Sequence, residues 1–294
     1  MNIRKAFIFF IVLFVSINVH SQLSASGYNS DDMEAFFKTK TFYVKSGNAR
    51  FDSLAIAGLE KYWKQTKYDT MSHENFEKNI SNPAYSFMML IQIEVITEKK
   101  DQNGLVVSRY SDYYHYFGIF CGGKKKIEKY VYSDMVAYCP LNFRMNEKPM
   151  AASAFRVQPM IHNLNEAITI VKEKQFRGNS LKMVNQFKDF YMSRSKILKE
   201  KTLLVDTDLL VDITKDEFDK AYPFKVEFCN REKIEKALAD KDEKYLIYQP
   251  GVTMNKSVMV FDASTYDCVF FNTDMKLKIK KDDIEDMVKV ANSR

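Results

Sequence analysis

The stretch Lys225–Lys236, KVEFCNREKIEK, reads as a short strand, an asparagine N-cap and the opening of a helix. A second stretch far upstream, Lys67–Lys78 (KYDTMSHENFEK), aligns with it without gaps. Lys67, Glu74, Glu77 and Lys78 stand where the later copy has Lys225, Glu232, Glu235 and Lys236. Asp69 aligns with Glu227, Phe76 with Ile234, and the cap Ser72 with Asn230. The pairing predicts an internal duplication.

The flanks run in parallel. Thr41–Lys45 (TFYVK) and Thr202–Asp206 (TLLVD) read as strands. In the first copy a helix follows from Asp52, read as its N-cap, with Leu54, Ala55, Leu59, Tyr62 and Trp63 at helical spacing. In the second, Thr214-Lys215-Asp216-Glu217 spells a capping box, in which hydroxyl and carboxylate each satisfy an orphan backbone N–H, and the helix ends by Pro223. After the repeated motif, Tyr85–Ile96 is apolar enough for a central strand. Asp101–Gly104 (DQNG) signals a hairpin into Val106–Cys121. Ile127–Cys139 reads as a strand closed by Pro140. Val157, Met160, Ile161, Leu164, Ile168 and Val171 mark the clearest helix, with Pro159 in its first turn and Gly178 as its stop. Leu181 to about Lys199, with Val184, Phe187, Tyr191 and Leu198 on one side, reads as a connecting helix. Strands at Tyr245–Tyr248, Ser257–Asp262 and Tyr266–Phe271 and a helix at Lys281–Val290 complete the second copy, and a short helix at Asp31–Lys38 precedes the first.

The expected fold is therefore α/β (α+β): two similar β-α-β-α-β-β-β-α halves, each a small mixed sheet covered by helices. The expected division is a signal peptide at 1–21, an N-terminal segment at 22–39, a first domain at 40–178, a connecting helix at 179–200 and a second domain at 201–294. In topology alone this resembles the amino-terminal α/β domains of bacterial envelope proteins such as TolB. No family motif is matched, so the resemblance carries no residue across.

Arg4 and Lys5, the apolar run Ala6–Val15 and the small residues around Val19-His20-Ser21 form a secretory signal pattern with Gln22 as the mature start. The run is too short for a membrane span, no later run approaches that length, and no lipid-anchoring cysteine follows it. A periplasmic or secreted chain with no transmembrane segment after cleavage is expected. The net charge of +6 is mild, mixed along the chain and partly lost with the signal, which argues against nucleic acid. Export permits disulfides, and the duplication would favour Cys121–Cys139 and Cys229–Cys268; the other reading is four buried free thiols.

No hydrolase elbow, phosphate-binding glycine loop, calcium loop or zinc-peptidase helix is present. Of the mature histidines, His73 reads as exposed, His115 lies on the aromatic strand, and His162 on the polar side of its helix. Asp206, Asp208 and Asp212 alternate after a strand, without the glycine and glutamate of a calcium loop. Asp282-Asp283 and Glu285-Asp286 read as a solvated helix face. No catalytic residue, cofactor or metal ligand is assigned. The candidate binding surface is Tyr113, Tyr114, His115 and Tyr116, where tyrosines give contact area at low entropy cost, with Lys124, Lys125 and Lys126 as a possible anion contact. Alternation puts Tyr114 and Tyr116 on one side and Tyr113, His115, Phe117 and Ile119 on the other; the competing reading covers both sides with helices. These features favour a binding or scaffold module whose partner is an envelope protein or small ligand, over a hydrolase of peptides or glycans.

Overall fold

A computed structural model describes residues 30–100, 103, 105–124, 126, 134–141, 154–174, 180–210, 212–252, 256–274 and 278–293. The signal pattern, Gly178 and most of the hairpin turn at 101–104 lie outside the described residues, as do 127–133.

The first half runs α1 (Ser30–Phe37), β1 (Lys40–Val44), α2 (Ala49–Tyr62), β2 (Tyr68–Met71), α3 (His73–Asn79), β3 (Tyr85–Lys100), β4 (Val106–Cys121), β5 (Met135–Leu141) and α4 (Val157–Lys174). After α5 (Ser180–Met192), the second half runs β6 (Thr202–Asp206), α6 (Lys215–Ala221), β7 (Val226–Cys229), α7 (Arg231–Ala239), β8 (Tyr245–Val252), β9 (Lys256–Asp262), β10 (Cys268–Asp274) and α8 (Lys281–Ser293). The two five-stranded sheets have the same order, β2-β1-β3-β4-β5 and β7-β6-β8-β9-β10. In each the first three strands pair in parallel and the last two add antiparallel. The expected mixed sheets and repeated element order are thus present. The first half's insertion is its hairpin: β3 and β4 have 16 residues each, β8 has 8 and β9 has 7.

Each cap in the repeated stretch does what its residue type allows. Ser72 accepts the Asn75 N–H and Asn230 the Lys233 N–H, starting α3 and α7 alike. Thr214 and Glu217 close the expected capping box. Asp52 is a correction. The cap of α2 is Asn48, which accepts from Phe51 N–H at 3.0 Å. Asp52 lies in the first turn and holds the incoming loop instead, taking the Tyr43 hydroxyl at 2.6 Å and the Ser46 and Gly47 N–H groups at 2.8 and 3.1 Å.

In the first half, α2 and α4 cover one sheet face, packing Phe51, Ala55, Leu59, Ile161 and Leu164 on Tyr43, Met88, Phe117 and Ile119. On the other face Phe76 and Ile80 of the α3 region meet Val44, Met71, Phe87 and Phe120. The second half repeats this with α6 and α8 on one face and α7 on the other. The core is continuous between halves, because Met259, Cys268 and Phe271 join the α2–α4 cluster. No described helix is long and apolar enough to cross a membrane.

Three further expectations change. Pro140 lies inside β5, opposite Tyr116, rather than closing it; β5 is an edge strand, where a missing N–H is tolerated. The connecting helix breaks after Met192, and Ser195–Lys199 form a 3-10 turn, which lets Arg194 reach back to α4. Tyr266 precedes β10 in a turn with φ of 71°, a conformation that costs a non-glycine residue energy and is held here by burial and a 2.9 Å hydrogen bond to the Leu238 carbonyl.

All four cysteines are free. Cys121 lies opposite Ser86 and Cys139 opposite Phe117, so they are four residues out of step along β4, about 13 Å. Cys229 and Cys268 lie on strands at opposite edges of their sheet, about 19 Å apart at ordinary strand spacing. Neither separation can be bridged, since disulfides need Cα atoms within about 7 Å. Burial pushes the Cys139 and Cys268 thiols up, and Cys229 is raised to about 11 by burial and then Glu227, so all three stay protonated near neutrality. Thiol titration of the denatured protein should find every cysteine free, and reductant should leave the melting temperature unchanged. A drop on reduction would contradict the strand registers.

Candidate functional site

The aromatic strand is placed as follows. Tyr116 is buried, edge-on to Tyr138 with centroids 5.5 Å apart, and Tyr114 is half-buried against the same cluster. His115 pairs with Gln92 Oε1 at 3.2 Å, and burial lowers its pKa. The side chain of Tyr113 lies outside the described residues. Lys124 forms an ion pair with Asp134, Lys126 is exposed, and Lys125 lies outside the described residues. Tyr116 is therefore core. Asp206 points inward, accepting the Asp208 N–H at 3.0 Å with Arg231 4.0 Å away, and the three aspartates do not gather into a donor set.

What the sequence did not bring together lies at the seam between halves. Two features meet there, both built on α4.

The first is a cavity of about 40 Å³. Its walls are Cys139, Pro140 and Leu141 of β5, Pro159 and Met160 of α4, Leu238 of α7, Ile247 of β8, and Met259 and Phe261 of β9. Arg156, Asn163 and Gln249 are its polar members. Asn163 is 1% exposed; its amide donates to the carbonyls of Pro159 and Tyr266 at 2.7 and 2.9 Å, and its Oδ1 is enclosed without a partner. A buried acceptor left unpaired costs about 1–3 kcal/mol.

The second is a charged cluster. His162 Nε2 lies 2.9 Å from Asp267 Oδ1, and Arg194 Nη1 lies 2.6 Å from Glu166 Oε1. His162 and Glu166 are one helical turn apart and share a face of α4; Asp267 comes from the turn beside Tyr266. Burial raises the Glu166 pKa although Arg194 opposes it, whereas the hydrogen bond from His162 lowers that of Asp267. Burial works against the Arg194 charge, but Glu166 more than restores it, and the net shift is upward. The Tyr62 ring stands edge-on to His162 at 5.2 Å and to Tyr266 at 5.8 Å. Gln65 and Asn165 add hydrogen bonds between the end of α2 and α4. Among the described residues, His162, Glu166 and Asp267 are the group placed as metal ligands would be, with donor atoms within 4.8 Å of one another. The i, i+4 spacing of His162 and Glu166 was visible in the sequence; Asp267, 105 positions from His162, was not.

Fold and site together define a duplicated α/β protein with an apolar cavity and a charged cluster along one seam. Comparison with protein-family models, curated proteins and solved structures found no match to this chain.

Proposed function

We propose that the chain is an exported binding protein of the bacterial cell envelope, which holds an apolar group of a small ligand between its halves. The cavity carries this reading: its wall is almost wholly apolar, with Arg156, Asn163 and Gln249 as its polar members. Apolar walls with a few placed polar groups are the usual make-up of small-molecule sites. The volume admits an aliphatic chain end or about three waters, so a bulkier ligand would have to part the halves. Export rests on the amino-terminal signal pattern, and no nucleic-acid role is proposed.

The alternative, a secreted hydrolase of peptides or glycans, needs a carboxylate pair open to substrate. Glu166 and Asp267 differ in environment as an acid and a base would, yet Arg194 and His162 already engage them, and the Glu166 side chain is only 15% exposed. The geometry therefore favours binding.

Met259→Phe tests the proposal by filling the cavity from β9. Small additions to an existing void cost less than overpacking a full core, so the variant should fold and lose the ligand that wild-type protein retains in native mass spectrometry. Retention of the same ligand by the folded variant would contradict the site.

A further inference from the structure

We propose that His162, Glu166 and Asp267 bind a divalent transition-metal ion that ties the two halves together. The proposal is independent of the cavity. One imidazole and two carboxylates are a donor set that Zn²⁺ and its first-row neighbours accept. The His162 Nε2 to Asp267 Oδ1 separation is 2.9 Å. Two ligands of a tetrahedral ion at about 2.1 Å would be about 3.4 Å apart, so a metal can replace the shared proton once the two side chains part by about half an ångström.

Glu166 supplies the strongest indication. Arg194 holds its Oε1 at 2.6 Å, and its Oε2 is enclosed with no partner. A carboxylate steadied from behind through one oxygen, with the other left to coordinate, is the arrangement that supports metal ligands. Arg194 therefore need not leave when the ion arrives, and it offsets part of the repulsion between the carboxylates while the site is empty. The hydroxyl of Tyr191 is a second enclosed, unpartnered oxygen, on a fully buried side chain. Tyr62 fixes the imidazole from its edge. His162 and Glu166 belong to the first half and Asp267 to the second, so an ion bound here cross-links them through their side chains.

The test is Zn²⁺ titration of chelator-treated, dialysed full-length mature protein, followed by calorimetry and by thermal denaturation. A single ion per chain with a dissociation constant in the micromolar range or below is expected, with a rise in melting temperature. His162→Gln and Asp267→Asn keep side-chain volume and should weaken binding by about a hundredfold; Arg194→Lys should weaken it by about tenfold, as changes to the groups that orient a ligand do. His73→Gln should bind like wild type, because His73 is an exposed histidine paired with Glu77 at 3.6 Å and reports adventitious surface binding. Wild-type protein that binds only at millimolar Zn²⁺ would overturn the proposal. So would unchanged affinity in folded His162→Gln and Asp267→Asn, or loss of binding in His73→Gln.

Discussion

Asp283→Ala is expected to destabilise the protein by about 3 kcal/mol, the lower end of the cost of breaking a buried ion pair. Lys256, 4% exposed at the start of β9, points its ammonium at the Asp283 carboxylate, 5% exposed, at 2.7 Å. The same carboxylate accepts the Lys280 N–H at 2.8 Å, serving as the acidic half of a capping box for α8. Alanine therefore removes a cap and leaves the Lys256 ammonium only the partly exposed Asp274 carboxylate, 3.8 Å away. The double replacement Lys256→Met with Asp283→Leu should recover most of the loss, because a well-packed apolar pair often replaces a buried ion pair without penalty. Urea denaturation of the single and double variants reads both effects. A loss below about 0.5 kcal/mol for Asp283→Ala, the range of ordinary surface changes, would show the pair to be solvated.

Gly122→Ala should cost about 3 kcal/mol through overpacking, less a few tenths regained from the stiffer unfolded chain. A Cβ at Gly122 would lie 2.1 Å from the Asn82 carbonyl oxygen, a backbone atom that cannot turn aside. The repeat supplies the control. Gly122 donates its N–H to the Tyr85 carbonyl, and in the second half Ala263 donates to the Tyr245 carbonyl in the same way. Residues after α7 turn through Lys241 with φ of 51° and clear the strand end, whereas the loop after α3 passes directly over it. Ala263→Gly should cost less, about 1–2 kcal/mol, from a freer backbone and the lost burial of its methyl group. Equal stability of Gly122→Ala and wild type in thermal denaturation would mean that the loop is not where it is described.

The duplicated architecture was legible because the signals behind it are local. Ser72, Asn230 and the Thr214–Glu217 box act within one helical turn, and the apolar spacing from Val157 to Val171 marks a helix whichever sheet it covers. The errors share a different cause. Asp52 has the residue type of a cap, but Asn48 lies one turn earlier, and Asp52 is recruited by Tyr43 across the loop. Asp283 looks solvated in a run of charges until Lys256, from another element, is folded onto it. The cysteine pairs looked reasonable by half, yet strand register and sheet order keep their members apart. Tyr116 became core because Tyr138 covers it from β5, a neighbouring strand far from it in sequence. The seam was least legible of all. Its cavity draws on β5, α4, α7, β8 and β9, and its charged cluster joins α4 to a turn of the other half, so no window of sequence contains either.

The most direct test of binding at that seam is native mass spectrometry of the mature chain, recovered gently from the exported fraction of its own cells. A folded protein carrying a small molecule is expected, with the molecule released on unfolding and missing from Met259→Phe prepared in the same way. Folded wild-type protein at its bare mass would contradict binding there.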